Sequence, residues 1–244
     1  MTPTRSSTFE RAIAYPYRIP AKSYIYHDGA SDELAAGSAF PDVGRLTPVL
    51  AVGSNQSPEQ LARKFPGADW APIPVARVTI ANFDTVYSAH ITTYGSIAAT
   101  LHHAPGTTVT LFVNWLDHDQ LARMHETELP NENYEFGCLN DLQIKAEVGP
   151  SLDQVYLYHG QRGIFAPDDN SISLTEVPAS GRTGQHMTQH EIQGHLRDRM
   201  APEKSLEDFI NDSVSDPAIR QSRTADMAQD RLVFSYPGYV PSAL

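Results

Sequence analysis

The order of structural elements along the chain constrains the fold most, because strands come first and helices come last. Apolar runs typical of strands are dense from residue 49 to about residue 158, and helical patterns dominate after a loop-like stretch that begins at residue 160. Strands followed by helices predict an α+β protein. The predicted units are an N-terminal arm, a central domain, and a loop with a helical C-terminal extension that packs on the domain, over residues 1–47, 48–160 and 161–244.

Apolar periodicity predicts the individual elements within this order. Alternating or continuous apolar runs predict strands over 49–52, 75–87, 96–101, 107–115, 143–148 and 154–158. The stretch HHAPG between two of these runs is typical of a hairpin turn. Capping residues and apolar spacing predict helices over 58–65, 188–200, 205–214 and 217–232, and a short helix capped by Asp117.

Charge and cysteine content exclude several classes of function. The chain has 18 basic and 29 acidic residues, a net charge of −11, which argues against nucleic acid or an anionic membrane surface as a partner. A single cysteine excludes an internal disulfide and a zinc site built from several cysteines. We find no signal-peptide pattern and no apolar stretch of transmembrane length, so we expect a cytoplasmic protein. The sequence leaves the oligomeric state open.

The stretch PVLAVGSNQSPEQLARKF, residues 48–65, predicts a strand, a tight turn and a helix. Ser57 suits the helix N-cap, Pro58 the first helical position, and Gln60 a capping box. Gly53 lets the chain turn sharply, so that backbone N–H groups and the helix N-terminus can bind a carboxylate or a phosphate. The P-loop ending Gly-Lys-Ser/Thr is missing, and an ordinary tight turn explains the same pattern.

Two acidic residues follow the helix capped by Asp117. Glu126 and Glu128 lie where this helix ends, because Pro130 prevents its continuation. A carboxylate near a helix C-terminus meets the negative end of the helix dipole, and burial would raise its pKa further, toward the range useful for proton transfer. The alternative is a solvated acidic turn, since further acidic residues follow closely.

Taken together, the loop after the first strand of the domain and the acidic residues after the Asp117 helix resemble the γ-glutamylcyclotransferase family. That family opens its domain with a strand ending in Tyr-Gly-Ser-Asn or a close variant, followed by a helix. Here the matching residues are Val52, Gly53, Ser54 and Asn55. The family's middle hairpin, with an Ala-Thr-apolar strand, a Pro-Gly turn and a strand ending near Trp, is similar to residues 99–101, 105–106 and 109–115.

The family's catalytic segment also has a counterpart, LARMHETELPNENY. In this resemblance Glu128 stands at the catalytic glutamate, Tyr134 at a following tyrosine, and His125 at an aspartate. Two positions depart from the family. Leu129 replaces the glycine after the acid, and Val52 replaces the tyrosine of the loop, so any contact made by that tyrosine must come from elsewhere or be absent.

The resemblance covers residues 49–134 and implies a small mixed β-barrel with flanking helices. The implied reaction is the attack of the α-amine of a γ-glutamyl group on its own γ-amide carbonyl, which releases an amine and 5-oxoproline. It requires no metal and no organic cofactor. Glu128 would be the acid/base, with Glu126 as the competitor. The implied substrate-binding residues are Val52, Gly53, Ser54, Asn55 and Tyr134.

Other functions stay open beside this one. An amide hydrolase or acyltransferase could use the same cavity, and a non-catalytic module could bind a small carboxylate there. A serine hydrolase is disfavoured because the segment around Ser54 lacks the second glycine of Gly-x-Ser-x-Gly. His186, His190, Glu191 and His195 suggest a metal site, but His190 and His195 are five residues apart and lie roughly 140° apart around a helix, which favours a solvated polar face.

Overall fold

The structure of the chain is a computed structural model that describes residues 4–35, 37–130 and 133–242. It confirms the predicted α+β class, with a large mixed sheet and helices packed on it. No helix in these three ranges has the length and apolar character needed to cross a membrane. The predicted division at residues 47/48 and 160/161 stays a prediction.

The strands range from two residues to 20, and two of them are far longer than the rest. In chain order they are β1 (Tyr24–His27), β2 (Ala30–Glu33), β3 (Thr47–Ala51), β4 (Ile73–Ile91), β5 (Ile97–Leu116), β6 (Tyr134–Leu139), β7 (Ile144–Ala146), β8 (Val155–Gly160), β9 (Ile164–Phe165), β10 (Ser173–Leu174), β11 (Ala179–Ser180), β12 (His186–Met187), β13 (Arg231–Leu232) and β14 (Tyr239–Pro241).

The helices precede, interrupt and follow the strands. They are α1 (Arg5–Ile13), α2 (Pro58–Lys64), α3 (His118–Glu128), α4 (Gln189–Met200), α5 (Leu206–Ser215) and α6 (Pro217–Met227). The arm was predicted without a helix, so α1 is a finding of the structure. The last helix was predicted to residue 232 but ends at Met227, because Arg231 and Leu232 pair with β9 instead.

The sheet is built on the antiparallel pair β4–β5 and is open. Its main path runs β12-β10-β4-β5-β3-β8-β6-β14, with β1, β7 and β9 also paired to β4. Within the described residues the two ends of this path, β12 and β14, are not hydrogen-bonded to each other. The predicted small β-barrel is therefore not closed, because the late strands extend the sheet at its edges rather than joining them.

The predicted hairpin turn at HHAPG is also wrong. Strand β5 runs continuously through this stretch, and the turn between β4 and β5 lies at residues 92–96. Opposite Asn82 the register shifts, since Ala81 pairs with Thr108 whereas Phe83 pairs with His103. Gly106 takes a positive φ of 87° there, and its N–H donates to Asn82 Oδ1 at 3.1 Å. A turn-forming sequence is thus used as a bulge inside a long strand.

Each face of the sheet carries its own core. Leu50 points to one face and Val49 to the other, as strand alternation requires. Helices α2 and α3 cover the face of Val49 through Leu61 and Met124. The other face is covered by helices α1, α4, α5 and α6, which contribute Ala12, Ile192, Phe209 and Met227 among others. The loop after β3 lies at the end of a strand that is covered by helices on both faces.

Candidate active site

The two stretches singled out from the sequence line one cavity of about 570 Å³. All the predicted site residues contribute to its wall: Val52, Gly53, Ser54, Asn55, Glu128 and Tyr134. The loop residues enter from the end of β3, and Glu128 enters from the end of α3. Long-range packing therefore brings together residues that are more than 70 positions apart in the chain.

The loop after β3 is held by tertiary contacts. It consists of Gly53 and a 3₁₀ turn over Ser54–Gln56, after which α2 begins. The buried side chain of Gln56 donates to the carbonyls of Val52 and Gly53 at 3.1 and 3.2 Å. From β5, Asn114 Nδ2 donates to the carbonyl of Asn55 at 3.2 Å. These bonds define the loop's conformation before any ligand arrives.

The backbone N–H groups of this loop are available to a ligand. Among the described residues, those of Gly53 and Asn55 donate to no protein acceptor. The helix start is where the sequence predicts it, with Ser57 at the N-cap and Pro58 at the first position. The predicted capping box is wrong, since Ser57 makes no side-chain cap bond and its Oγ has no partner in the described structure. The carbonyl of Ser57 instead accepts the N–H of Gln60, at 3.0 Å.

Tyr15, which follows α1 in the N-terminal arm, packs against this loop. Its ring is buried, and its hydroxyl accepts the N–H of Ala99 at 3.0 Å. The backbone of Ser54 also lies against this hydroxyl, and burial raises the pKa of Tyr15 well above its usual value. A phenol, rather than a phenolate, therefore faces the cavity. It supplies a tyrosine hydroxyl beside the loop, where the sequence has Val52 instead of the family's tyrosine.

Glu128 is the last residue of α3 and points into the cavity. The helix begins with the predicted capping box, in which Asp117 and Gln120 bond each other's backbone. The Glu128 side chain is only 13% exposed. Its Oε1 accepts a hydrogen bond from Asn55 Nδ2 at 2.7 Å. The acid and the glycine loop are thus in direct contact across the cavity.

Lys64 forms an ion pair with Glu128. Lys64 Nζ hydrogen-bonds Glu128 Oε1 and contacts Met124 Sδ at 3.3 Å, and its side chain is 7% exposed. The ion pair places a buried ammonium directly against the carboxylate of Glu128. The sequence analysis missed Lys64. The available signal was its position three residues after Leu61, on the buried side of α2.

The competing acid, Glu126, does not take part in the cavity. Its side chain is 66% exposed and pairs with Arg123 at 2.9 Å on the outer side of α3. The two glutamates are two residues apart on a helix, so their side chains leave it in different directions. The packing of α3 therefore selects Glu128 for the cavity and leaves Glu126 in solvent.

Three further tyrosines line the cavity around these groups. Burial raises the pKa of Tyr94, Tyr134 and Tyr158 above the usual value, so all three hydroxyls are neutral at ordinary pH. Tyr158 Oη is 2.8 Å from His125 Nδ1, the residue at the family's aspartate position. The cavity thus offers neutral hydroxyl groups around one carboxylate. These groups can donate hydrogen bonds without adding negative charge.

Comparisons with known proteins give matches to solved structures only. No protein-family model matches the chain, and no curated protein matches it at a significant level. A solution structure of an Arabidopsis thaliana protein is 17% identical, with 48% of this chain and 70% of that chain covered and a TM-score of 0.35. An uncharacterised Homo sapiens protein is 17% identical over 68% and 86% of the two chains, with a TM-score of 0.38.

One of the similar structures carries the name of the family that the sequence resembles. A protein described as gamma-glutamyl cyclotransferase is 16% identical to this chain. The match covers 79% of this chain and 92% of that chain, with a TM-score of 0.37. Solved structures similar to this chain therefore include a gamma-glutamyl cyclotransferase.

Proposed function

We propose that the chain is a γ-glutamylcyclotransferase-like enzyme that cyclises a γ-glutamyl amine, peptide or amide to 5-oxoproline and releases the amine. The observation that carries this proposal is the hydrogen bond from Asn55 Nδ2 to Glu128 Oε1, at 2.7 Å. It places a loop with free backbone donors in direct contact with the Glu128 carboxylate in one cavity. A small-molecule carboxylate is the substrate class that fits, and a cytoplasmic location stays a prediction from the sequence.

The loop would bind the α-carboxylate of the γ-glutamyl group. The N–H groups of Gly53 and Asn55 are without protein acceptors in the described structure, and the Ser54 amide lies beside them, against Tyr15. Backbone donors of this kind suit an anionic oxygen and need no lysine. Binding at this end would hold the flexible glutamyl chain in a folded conformation, which supplies much of the acceleration of an intramolecular reaction.

Glu128 would carry protons from the attacking nitrogen to the departing one. The α-ammonium gives a proton to the Glu128 carboxylate, and the freed amine attacks the γ-carbonyl carbon to form the new C–N bond of the five-membered ring. The old C–N amide bond breaks as Glu128 returns this proton to the departing nitrogen. Glu128 also takes the second proton that the ring nitrogen has to lose and passes it to the released amine, which leaves as an ammonium ion. The products are 5-oxoproline and the amine, and no water is consumed.

Lys64 would hold Glu128 in position for the first of these steps. The ion pair fixes the carboxylate that accepts the proton at the wall of the cavity. The hydrogen bond from Asn55 fixes the orientation of the same oxygen. Substrate binding would have to displace one of these contacts, and the cationic α-ammonium is suited to compete for the Glu128 carboxylate.

A panel of γ-glutamyl compounds, with detection of 5-oxoproline, tests the proposal. We expect 5-oxoproline from the wild type and a rate lower by about 10²- to 10⁴-fold in Glu128→Gln, which keeps the acceptor oxygen for Asn55 but cannot carry the proton. Glu126→Gln is the matched control and should retain the wild-type rate. Free glutamate in place of 5-oxoproline would identify a hydrolase, and transfer to an added amine an acyltransferase. Stabilisation by carboxylates without turnover would identify a binding module.

A further inference from the structure

The wall of the cavity is basic, although the chain as a whole is acidic. Among the described residues, four basic side chains line it, from Arg11, Arg63, Lys64 and Arg220, and one acidic side chain does, that of Glu128. The net charge of the whole chain is −11. Such a reversal of sign inside a concave site attracts and retains anions.

Two of these basic side chains are not neutralised by a carboxylate. Lys64 is paired with Glu128, and Arg63 lies 3.8 Å from Glu59. Across the described ranges, no ion pair involves Arg11 or Arg220. Within the described part of the chain, the cavity therefore has two positive charges that no carboxylate pairs with, both from outside the region that resembles the cyclotransferase family.

Arg220 is positioned on helix α6 beside the end of β4. The N–H of Ile91 donates to Thr224 Oγ1 at 3.4 Å, and Thr224 lies one helical turn after Arg220 on the same side of α6. One guanidinium nitrogen of Arg220 donates to the carbonyl of Ser213 at 2.8 Å, at the end of α5. These contacts direct the guanidinium to the cavity wall and leave its other N–H groups for a ligand.

Arg11 approaches the same cavity from α1. Its guanidinium carbon lies 4.9 Å from the centre of the Tyr94 ring, which also lines the cavity. A cation over an aromatic face keeps its N–H groups free in the plane of the guanidinium. Helix α1, which carries Arg11, lies in the predicted N-terminal arm, and helix α6, which carries Arg220, lies in the predicted C-terminal extension.

His90 lies at the same end and has a buried nitrogen without a partner. Its Nδ1 is inaccessible to solvent and makes no hydrogen bond within the described structure. Burial, together with Arg162 and Arg220, lowers the pKa of His90 from 6.5 to about 4, so the ring is neutral at ordinary pH. With a proton on this nitrogen, the imidazole has one N–H group that no described residue satisfies.

A γ-glutamyl group by itself does not balance these charges. Its α-carboxylate and α-ammonium sum to zero, and both would be bound at the end of the cavity formed by the loop and Glu128. We infer that Arg220 and Arg11, with His90, form a second anion subsite that binds an acidic group on the leaving part of the substrate. This inference rests on the proposed function for the identity of the first group. The second group is a carboxylate or a phosphonate or phosphate.

Three leaving amines of matched size distinguish these possibilities. We compare γ-glutamylglycine, γ-glutamyl aminomethylphosphonate and γ-glutamylethylamine. The leaving amine carries an acidic group in the first two compounds and none in the third. The wild type should turn over one of the acidic compounds with a kcat/KM at least about tenfold higher than the ethylamide, mainly through KM. Whichever acidic compound is preferred identifies the group.

Arg220→Gln should remove this preference. We expect kcat/KM for the preferred acidic compound to fall about 10- to 100-fold, and that for the ethylamide to stay within about twofold. Arg11→Gln should act in the same direction and serves as a second variant if Arg220→Gln fails to fold. It removes no side-chain hydrogen bond in the described structure. Arg45→Gln removes an equal charge from an exposed position outside the cavity and is the control. An equal loss for all three compounds, or no loss, would overturn the inference.

A binding measurement separates this inference from the proposed function. Succinate, a small dianion, is titrated calorimetrically into the wild type, Arg220→Gln and Arg45→Gln at one salt concentration. Binding that weakens only in Arg220→Gln, without any 5-oxoproline from the panel, would support the subsite while the proposed reaction fails. Turnover of all three compounds with no effect of Arg220→Gln on either assay would support the reaction and reject the subsite.

Discussion

The hydroxyl of Tyr15 lies so close to Gly53 that a Cβ atom at position 53 would be 2.2 Å from it. Gly53 has a φ of −118°, so the left-handed region is not the reason for glycine here. The reason is steric, and it links the N-terminal arm to the loop of the candidate site.

Gly53→Ala should therefore be destabilising because the Tyr15 hydroxyl has to move. We expect the free energy of unfolding in urea to fall by about 1–3 kcal/mol. Tyr15→Phe in the same chain should restore part of this loss, since the next nearest atoms would be 3.3 and 3.4 Å away. Gly194→Ala is the control, because its Cβ would meet nothing within 4 Å in α4 and should stabilise the protein slightly. Equal losses with and without the Tyr15 hydroxyl would contradict this account.

Lys64→Met should lower both stability and activity. Within the described structure, removing the ammonium leaves the carboxylate of Glu128 with Asn55 as its remaining partner, at an expected cost of about 3 kcal/mol in the free energy of unfolding. If Glu128 is the general base, kcat/KM should fall by about tenfold or more, because the carboxylate has lost a contact that holds it in position. The exposed Lys145→Met serves as the control. A wild-type kcat/KM in Lys64→Met would remove Lys64 from the proposed mechanism.

His159→Phe should make the protein less sensitive to acid. Burial lowers the pKa of His159 from 6.5 to about 4, and its Nε2 has no partner in the described structure. Above pH 6.5 the ring is neutral in both the folded and the unfolded chain, but between about 6.5 and 4 only the unfolded chain takes up the proton. The stability contributed by the neutral ring is therefore complete above pH 6.5 and is lost as the pH falls.

At about pH 5 this loss amounts to about 2 kcal/mol for one such histidine. The difference in unfolding free energy between about pH 7.5 and pH 5 should be smaller by that amount in His159→Phe than in the wild type. Phenylalanine is suited to the site because the His159 ring already packs 4.3 Å from the Phe234 ring. Urea denaturation at the two pH values measures the difference, and an unchanged pH dependence would refute the assignment.

Arg182→Met should destabilise the sheet at a buried ion pair that does not line the candidate site. Asp84 is almost fully buried on β4 and accepts hydrogen bonds from two nitrogens of Arg182, at 2.7 and 2.8 Å. Removing the arginine leaves a buried carboxylate supported by Ser173 and the N–H of Thr85, so we expect a loss of about 3–5 kcal/mol. Arg182→Lys should recover only part of it, because lysine cannot form the two-pronged contact. Denaturation curves that coincide for Met and Lys would argue against the bidentate pair.

Local sequence patterns determined several elements correctly. The apolar run before Gly53, the Pro58 start of α2 and the Asp117 capping box of α3 are all present in the structure. Each depends on contacts within one or two turns of the chain, which is the range over which such patterns act. The HHAPG stretch fails for the opposite reason, since pairing along the whole of β4 outweighs the local preference for a turn.

The sequence by itself determined the α+β class, the junction after β3 and two candidate acids at the end of α3. Only the tertiary structure decided that Glu128 and not Glu126 enters the cavity, that Lys64 is its counter-ion, and that Tyr15 and Arg220 reach the same space from the two ends of the chain. Spacing along a chain specifies which residues share a helix face or a strand face. The partners of a buried charge or hydroxyl depend on how those faces pack, and that is settled by contacts between segments far apart in sequence.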